Sequence, residues 1–158
     1  MAHILIADDD DLVTTILAEA FAEAGHPSHA VASAEAAWES VHARRPDLLL
    51  LDRDMPGMPG LALLAKLRAS PLFYDLPVVI LTALRDELDE DAAIRAGAQD
   101  FLRKPFDPDA LVARVETALA RKVEARPFSG AYAEIAEEGD FPASAAYWQR
   151  YLPSPRRA

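Results

Sequence analysis

The chain has 158 residues, a formal net charge of −10 and 51% apolar residues, which suits one domain with a sizeable core. It contains no cysteine, which rules out disulfides and thiolate zinc sites and fits a reducing cytoplasm. The acidity argues against direct nucleic-acid binding, no apolar run approaches the ~20 residues of a membrane span, and the start Met1-Ala2-His3-Ile4 lacks the features of a signal peptide.

Residues 3–7 read as a short apolar strand. Residues 12–24 show helical spacing, with Val13, Leu17, Ala20, Phe21 and Ala24 on one face and Gly25 as the stop. Asp10 and Asp11 precede them as first-turn acids that satisfy helix donors. Residues 28–32 form a weak second strand, and Ser33 caps a helix that runs to Arg44 and closes at Pro46. The four leucines ending the run 47–51 read as a third, buried strand.

A short helix is expected over 60–68. The continuous apolar run 77–81 is the strongest strand signal, as when helices cover both sheet faces. Residues 86–96 read as a helix closed by Gly97, with Asp86, Glu87, Asp89, Glu90 and Asp91 as a solvated face. Residues 99–102 give a fifth strand. Asp107-Pro108 starts a last helix whose buried stripe is Leu111, Val112, Val115 and Leu119. A strand–helix alternation repeated five times predicts a parallel α/β sheet with right-handed crossovers and helices on both faces.

In such a sheet, ligands bind at the carboxyl ends of the strands. Asp8-Asp9, Asp52, Thr82 and Lys104 all fall at strand ends and so converge on one edge. Asp52, between the leucines and the turn Met55-Pro56-Gly57, is expected at the sheet rim, half out of the core. Clustered carboxylates repel unless a cation neutralises them, and hard oxygen ligands favour Mg²⁺. A lysine and a hydroxyl beside that ion can cradle a phosphoryl group, with Asp52 as its acceptor. The histidines His3, His26, His29 and His42 lie on different elements and read as structural or surface residues.

The segments ILIADDDD, LLLLDRDMPGMPG, VVILTA and FLRKPF, in this order and spacing, resemble the receiver domain of two-component response regulators, including the single-domain chemotaxis type. The resemblance covers residues 3 to about 121. It implies a flavodoxin-like (βα)5 fold with strand order 2-1-3-4-5, and a division into a receiver domain, 1–121, and a C-terminal extension, 122–158.

It also implies roles. Asp52 matches the phosphoacceptor, and Asp9 the direct Mg²⁺ ligand, with Mn²⁺ as a substitute. Asp8 matches the acid that acts through a metal-bound water, and the Asp54 backbone carbonyl a further ligand. Thr82 and Lys104 match the phosphoryl contacts, and Thr82 and Phe101 the switch pair. Pro105 matches a proline preceded by a cis bond, and Asp54 and Leu84 match modulating positions. The implied donor is a sensor histidine kinase or a phosphotransfer protein in a cytoplasmic phosphorelay. The implied output is a change in the face made by helix 86–96, the fifth strand and the last helix, for partner binding or homodimerisation.

Two positions keep two readings. The Asp54 side chain, with Arg53 beside it, either tunes phosphoryl loss or is a solvent-facing loop acid. Phe101, which lacks a tyrosine hydroxyl, either switches by ring packing into space that Thr82 vacates or is an ordinary core aromatic. Asp52-Arg53-Asp54 also imitates the DxD motif of haloacid dehalogenase phosphatases and phosphotransferases, although the upstream Asp8-Asp9 and the missing cap domain oppose that reading. A third alternative is a receiver fold used only as an interaction module.

The tail 122–158 holds six of the twelve aromatics, Phe128, Tyr132, Phe141, Tyr147, Trp148 and Tyr151, and its charges cancel, so residues 1–121 carry the whole −10. Short helices are expected near 132–138 and 143–152. The segment is short for a DNA-binding or enzymatic output domain. It is expected to cover or extend the output face and couple phosphorylation to dimerisation, or else to be inert or the stub of a longer regulator.

Overall fold

A computed structural model describes residues 1–83, 94 and 96–121. The expected helix 86–96, Leu84 and the whole tail 122–158 lie outside the described residues, apart from Ile94 and Ala96. The elements in chain order are β1 (Ile4–Ala7), α1 (Asp11–Glu23), β2 (Ser28–Val31), α2 (Ala34–Ala43), β3 (Leu48–Asp52), α3 (Gly60–Ala69), β4 (Val78–Thr82), β5 (Asp100–Arg103) and α4 (Pro108–Ala120). The five strands form one parallel sheet in the order β2-β1-β3-β4-β5, as expected.

The register explains why the central strands are apolar throughout. Leu5, Leu49, Leu51, Val78 and Ile80 pack with α2 and α3 on one face. Ile4, Ile6, Leu48, Leu50, Val79 and Leu81 pack with α1 and α4 on the other. Side chains alternate between faces along a strand, so a sheet covered on both sides needs an apolar residue at each step.

Helix starts follow the expected chemistry. The Asp10 carboxylate accepts from the Leu12 and Val13 amides, Ser33 accepts from the Ala36 amide, and Asp107 accepts from the Asp109 amide with proline in the first turn. Two expected core positions shift. Ala24 is exposed because α1 ends at Glu23 and Ala24 is its C-cap. On α4 the last fully buried position is Ala118, with Leu119 only partly covered. The second strand is one residue shorter than expected, because pairing with β1 ends at Val31.

The turn between β3 and α3 fixes the site edge. Met55 and Met58 are buried, Gly57 takes φ +82°, and the Met58 amide donates to Glu35 Oε1 of α2 at 3.3 Å. A Cβ on Gly60 would stand 2.5 Å from the Asp52 carbonyl oxygen, so only glycine allows α3 to start this close to β3.

Candidate phosphoryl and metal site

The predicted strand ends do converge. Carboxylate oxygens of Asp8, Asp9 and Asp52 lie within 4.8 Å of one another. Lys104 Nζ stands 2.7 Å from Asp8 Oδ2 and 3.6 Å from Asp52 Oδ2. Backbone bonds hold these positions: the Asp8 amide donates to Val31 O, the Arg53 amide to Leu81 O, and the Lys104 amide to Thr82 O. The peptide bond from Lys104 to Pro105 is cis, as the resemblance implied.

Asp52 sits at the rim of the sheet as expected, but as the last residue of β3, paired with Leu81, and only 3% exposed rather than half out of the core. The strand runs one residue further than its leucines because main-chain pairing, not the side chain, sets its end. Burial, and then the Asp8 charge, push the Asp52 carboxyl up to about 6, against the opposing pull of the Asp54 amide and Lys104. For Lys104, burial favours loss of its proton, but the Asp8 hydrogen bond and the charges of Asp52, Asp8 and Asp10 outweigh it and raise its pKa.

Three contacts had no sequence signal. The Thr82 hydroxyl donates to Asp54 Oδ2 at 3.3 Å, although Asp54 is otherwise exposed, so this acid is not merely a solvated loop residue. The Asp54 amide donates to Asp52 Oδ1 at 3.2 Å, and the Asp10 amide to Asp8 Oδ1 at 2.9 Å. Asp10 therefore orients a site carboxylate as well as capping α1. Phe101 is 5% exposed and packs in the core cluster below α2 and α3, beside Ile80 in register and two positions from the level of Thr82.

The donor set fits a hard divalent cation. Burial and the Asp8 charge raise the proton affinity of Asp52, and an ion bound among the three carboxylates would offset that penalty. The histidines take no part. His26 accepts from the Ala2 amide and meets Glu116, while His42 packs on Trp38 and Phe73.

The family profile of the response regulator receiver domain matches residues 4–116. The chain belongs to that family. It is 36% identical over 118 residues to the phosphate regulon transcriptional regulatory protein PhoB of Pseudomonas aeruginosa, covering 75% of this chain and 52% of PhoB. It is 37% identical over 119 residues to the DNA-binding response regulator MtrA of Mycolicibacterium smegmatis, covering 75% of this chain and 51% of MtrA. The chain thus spans about half the length of these curated relatives.

Among solved structures, a response regulator from Chloroflexus aurantiacus J-10-fl superposes with a TM-score of 0.73 at 40% identity, covering 76% of this chain and 98% of the other. The BeF3-activated receiver domain of Klebsiella pneumoniae RstA gives 0.70 at 28% identity, covering 75% and 99%. These matches carry the receiver reading rather than the haloacid dehalogenase one.

Proposed function

We propose that Asp52 is the phosphoacceptor of a two-component or phosphorelay switch. The observation that carries this reading is the convergence of Asp8, Asp9 and Asp52 within 4.8 Å, with Lys104 Nζ bridging two of them. A sensor histidine kinase or phosphotransfer protein presents a phosphohistidine. A carboxylate oxygen of Asp52 attacks phosphorus in line, the phosphorus–nitrogen bond breaks, and the imidazole leaves. Water later attacks the aspartyl phosphate, which regenerates the carboxylate and releases inorganic phosphate. Both steps use the receiver's own residues, so the chain assists its own phosphorylation and dephosphorylation.

Asp8, Asp9, Asp52 and the Asp54 backbone carbonyl would hold Mg²⁺, with Mn²⁺ as a substitute. When bound, the cation neutralises charge that builds on the phosphoryl oxygens. Lys104 exchanges its carboxylate partners for a phosphoryl oxygen. Thr82 turns its hydroxyl from Asp54 to the same group, and Phe101 repacks with it. The surface around β5 and α4 then favours a protein partner or a second copy. Leu84, two residues after Thr82 in the sequence, is assigned a modulating role. Residues 1–121 form the switch, 122–158 are an extension, and both act in the cytoplasm beside the donor.

The test is labelling with acetyl phosphate and Mg²⁺. Asp52→Asn should abolish the acid-labile, hydroxylamine-sensitive phosphate. Stoichiometric labelling of the variant would sink the assignment.

A further inference from the structure

The amino ends of the strands carry a polar cluster of their own, at the opposite end of the sheet from Asp52. His3 directly precedes β1, and His29 of β2 pairs in register with Leu5. Side chains alternate along a strand, so His3, Leu5 and His29 share one face, the face on which Leu5 packs with α2 and α3. The end of α2 lies over them. A cavity of about 480 Å³ opens there, and its polar lining is His3, Ser28, His29, Ser40 and Arg44. That size falls within the roughly 300–1,000 Å³ of small-molecule pockets.

The chain has a formal charge of −10, yet none of its carboxylates lines this cavity. Among the described residues Arg44 forms no ion pair, and His3 Nδ1 finds no hydrogen-bond partner. Burial and the Arg44 charge, with a further push from His29, hold the His3 imidazole below its usual range. Asp47 opposes them, but one of its oxygens already accepts from the His3 amide at 2.7 Å. The carbonyl end of α2 disfavours an anion, and the Arg44 charge at its C-cap offsets this.

We propose that this cavity is a second anion site, which takes the phosphate group of a small phosphate monoester. The Arg44 guanidinium offers a fork of donors to two phosphate oxygens, and the imidazoles and the Ser28 and Ser40 hydroxyls serve the others. The cavity has more room than a phosphate group fills, and Leu5 and Ala43 give the remainder an apolar wall. The proposal is independent of the phosphoacceptor reading, since it shares no residue with the carboxyl edge.

The four histidines make the test direct, because each ring gives its own carbon-bound proton signal. The full chain is titrated with phenyl phosphate, with chelator present and ionic strength held by sodium chloride. His3 and His29 should shift in one saturable step while His26 and His42 stay in place, and the His3 titration midpoint should rise in the saturated protein. Arg44 and His29 are exposed, so Arg44→Gln and His29→Gln should fold, and Arg44→Gln should weaken binding about tenfold or more. Unsaturable shifts, equal movement of all four rings, or parent-like affinity in Arg44→Gln would overturn the proposal. Benzoate binding as tightly as phenyl phosphate would overturn the phosphate assignment in favour of a carboxylate.

Discussion

At the residue scale, Asp52 is held at an electrostatic cost. A buried acid with a raised pKa binds its proton more tightly in the folded than in the unfolded chain. In the metal-free protein, the contribution of Asp52 to stability is therefore fullest below the ordinary carboxylate pKa of 3.8 and is lost as pH rises through about 6, above which Asp52 is ionised in both states. The deficit above pH 6 amounts to at most about 3 kcal/mol. Asp52→Asn should accordingly raise the unfolding midpoint in urea at pH 7.5 with chelator present, and the gain should shrink towards pH 5. A variant less stable than the parent at pH 7.5 would show that Lys104 outweighs Asp8 in the site.

The neighbour Asp54 holds the Thr82 hydroxyl and adds negative charge beside Asp52, the proposed phosphoacceptor. Asp54→Ala should speed labelling by acetyl phosphate several-fold. An unchanged or slower rate would mark the Thr82 contact as incidental.

At the element scale, the two ends of α3 have no slack. At its start, Gly60→Ala forces a Cβ against the Asp52 carbonyl, and a cost of about 1–3 kcal/mol is expected by urea unfolding. A loss below ~0.5 kcal/mol would mean that the turn yields freely. At its end, the buried Arg68 guanidinium donates to carbonyls of Leu76, Phe73, Tyr74 and Gly97. Burial lowers its pKa to about 10, partly offset by Asp75, so it stays charged at neutral pH.

Arg68→Met should cost about 2–4 kcal/mol by urea unfolding, because the buried bonds to the Phe73 and Leu76 carbonyls are lost along with the part-buried ones. Little of this was legible in sequence. The strands were, because continuous leucine and valine runs report burial on two faces. The Arg68 clamp was not, because its acceptors are main-chain oxygens brought together by the fold and carry no residue signature. The last strand position of Asp52 was hidden for a related reason: pairing continues one residue beyond the apolar pattern.

At the scale of the whole molecule, the carboxyl edge of the sheet concentrates charge that a cation can offset. Mg²⁺ should raise the thermal midpoint of the parent chain, by an amount equivalent to about 2.7 kcal/mol at a hundred times its dissociation constant. Asp9→Ala should lose most of this gain, and an equal gain in both proteins would place the ion elsewhere. The site residues themselves were legible because each sits at a strand end whose position the apolar runs fix. The partners chosen within the site, Thr82 with Asp54 and Lys104 with Asp8, were not, because they depend on rotamers.

The seating of α3 has one more consequence. One end abuts the Asp52 backbone, and the other grips the Gly97 turn beside the exit of the chain at Arg121. A ten-residue helix is about 15 Å long and stiff along its axis. The same rigid rod thus touches the Asp52 main chain at one end and is tied by Arg68 to the Gly97 carbonyl at the other.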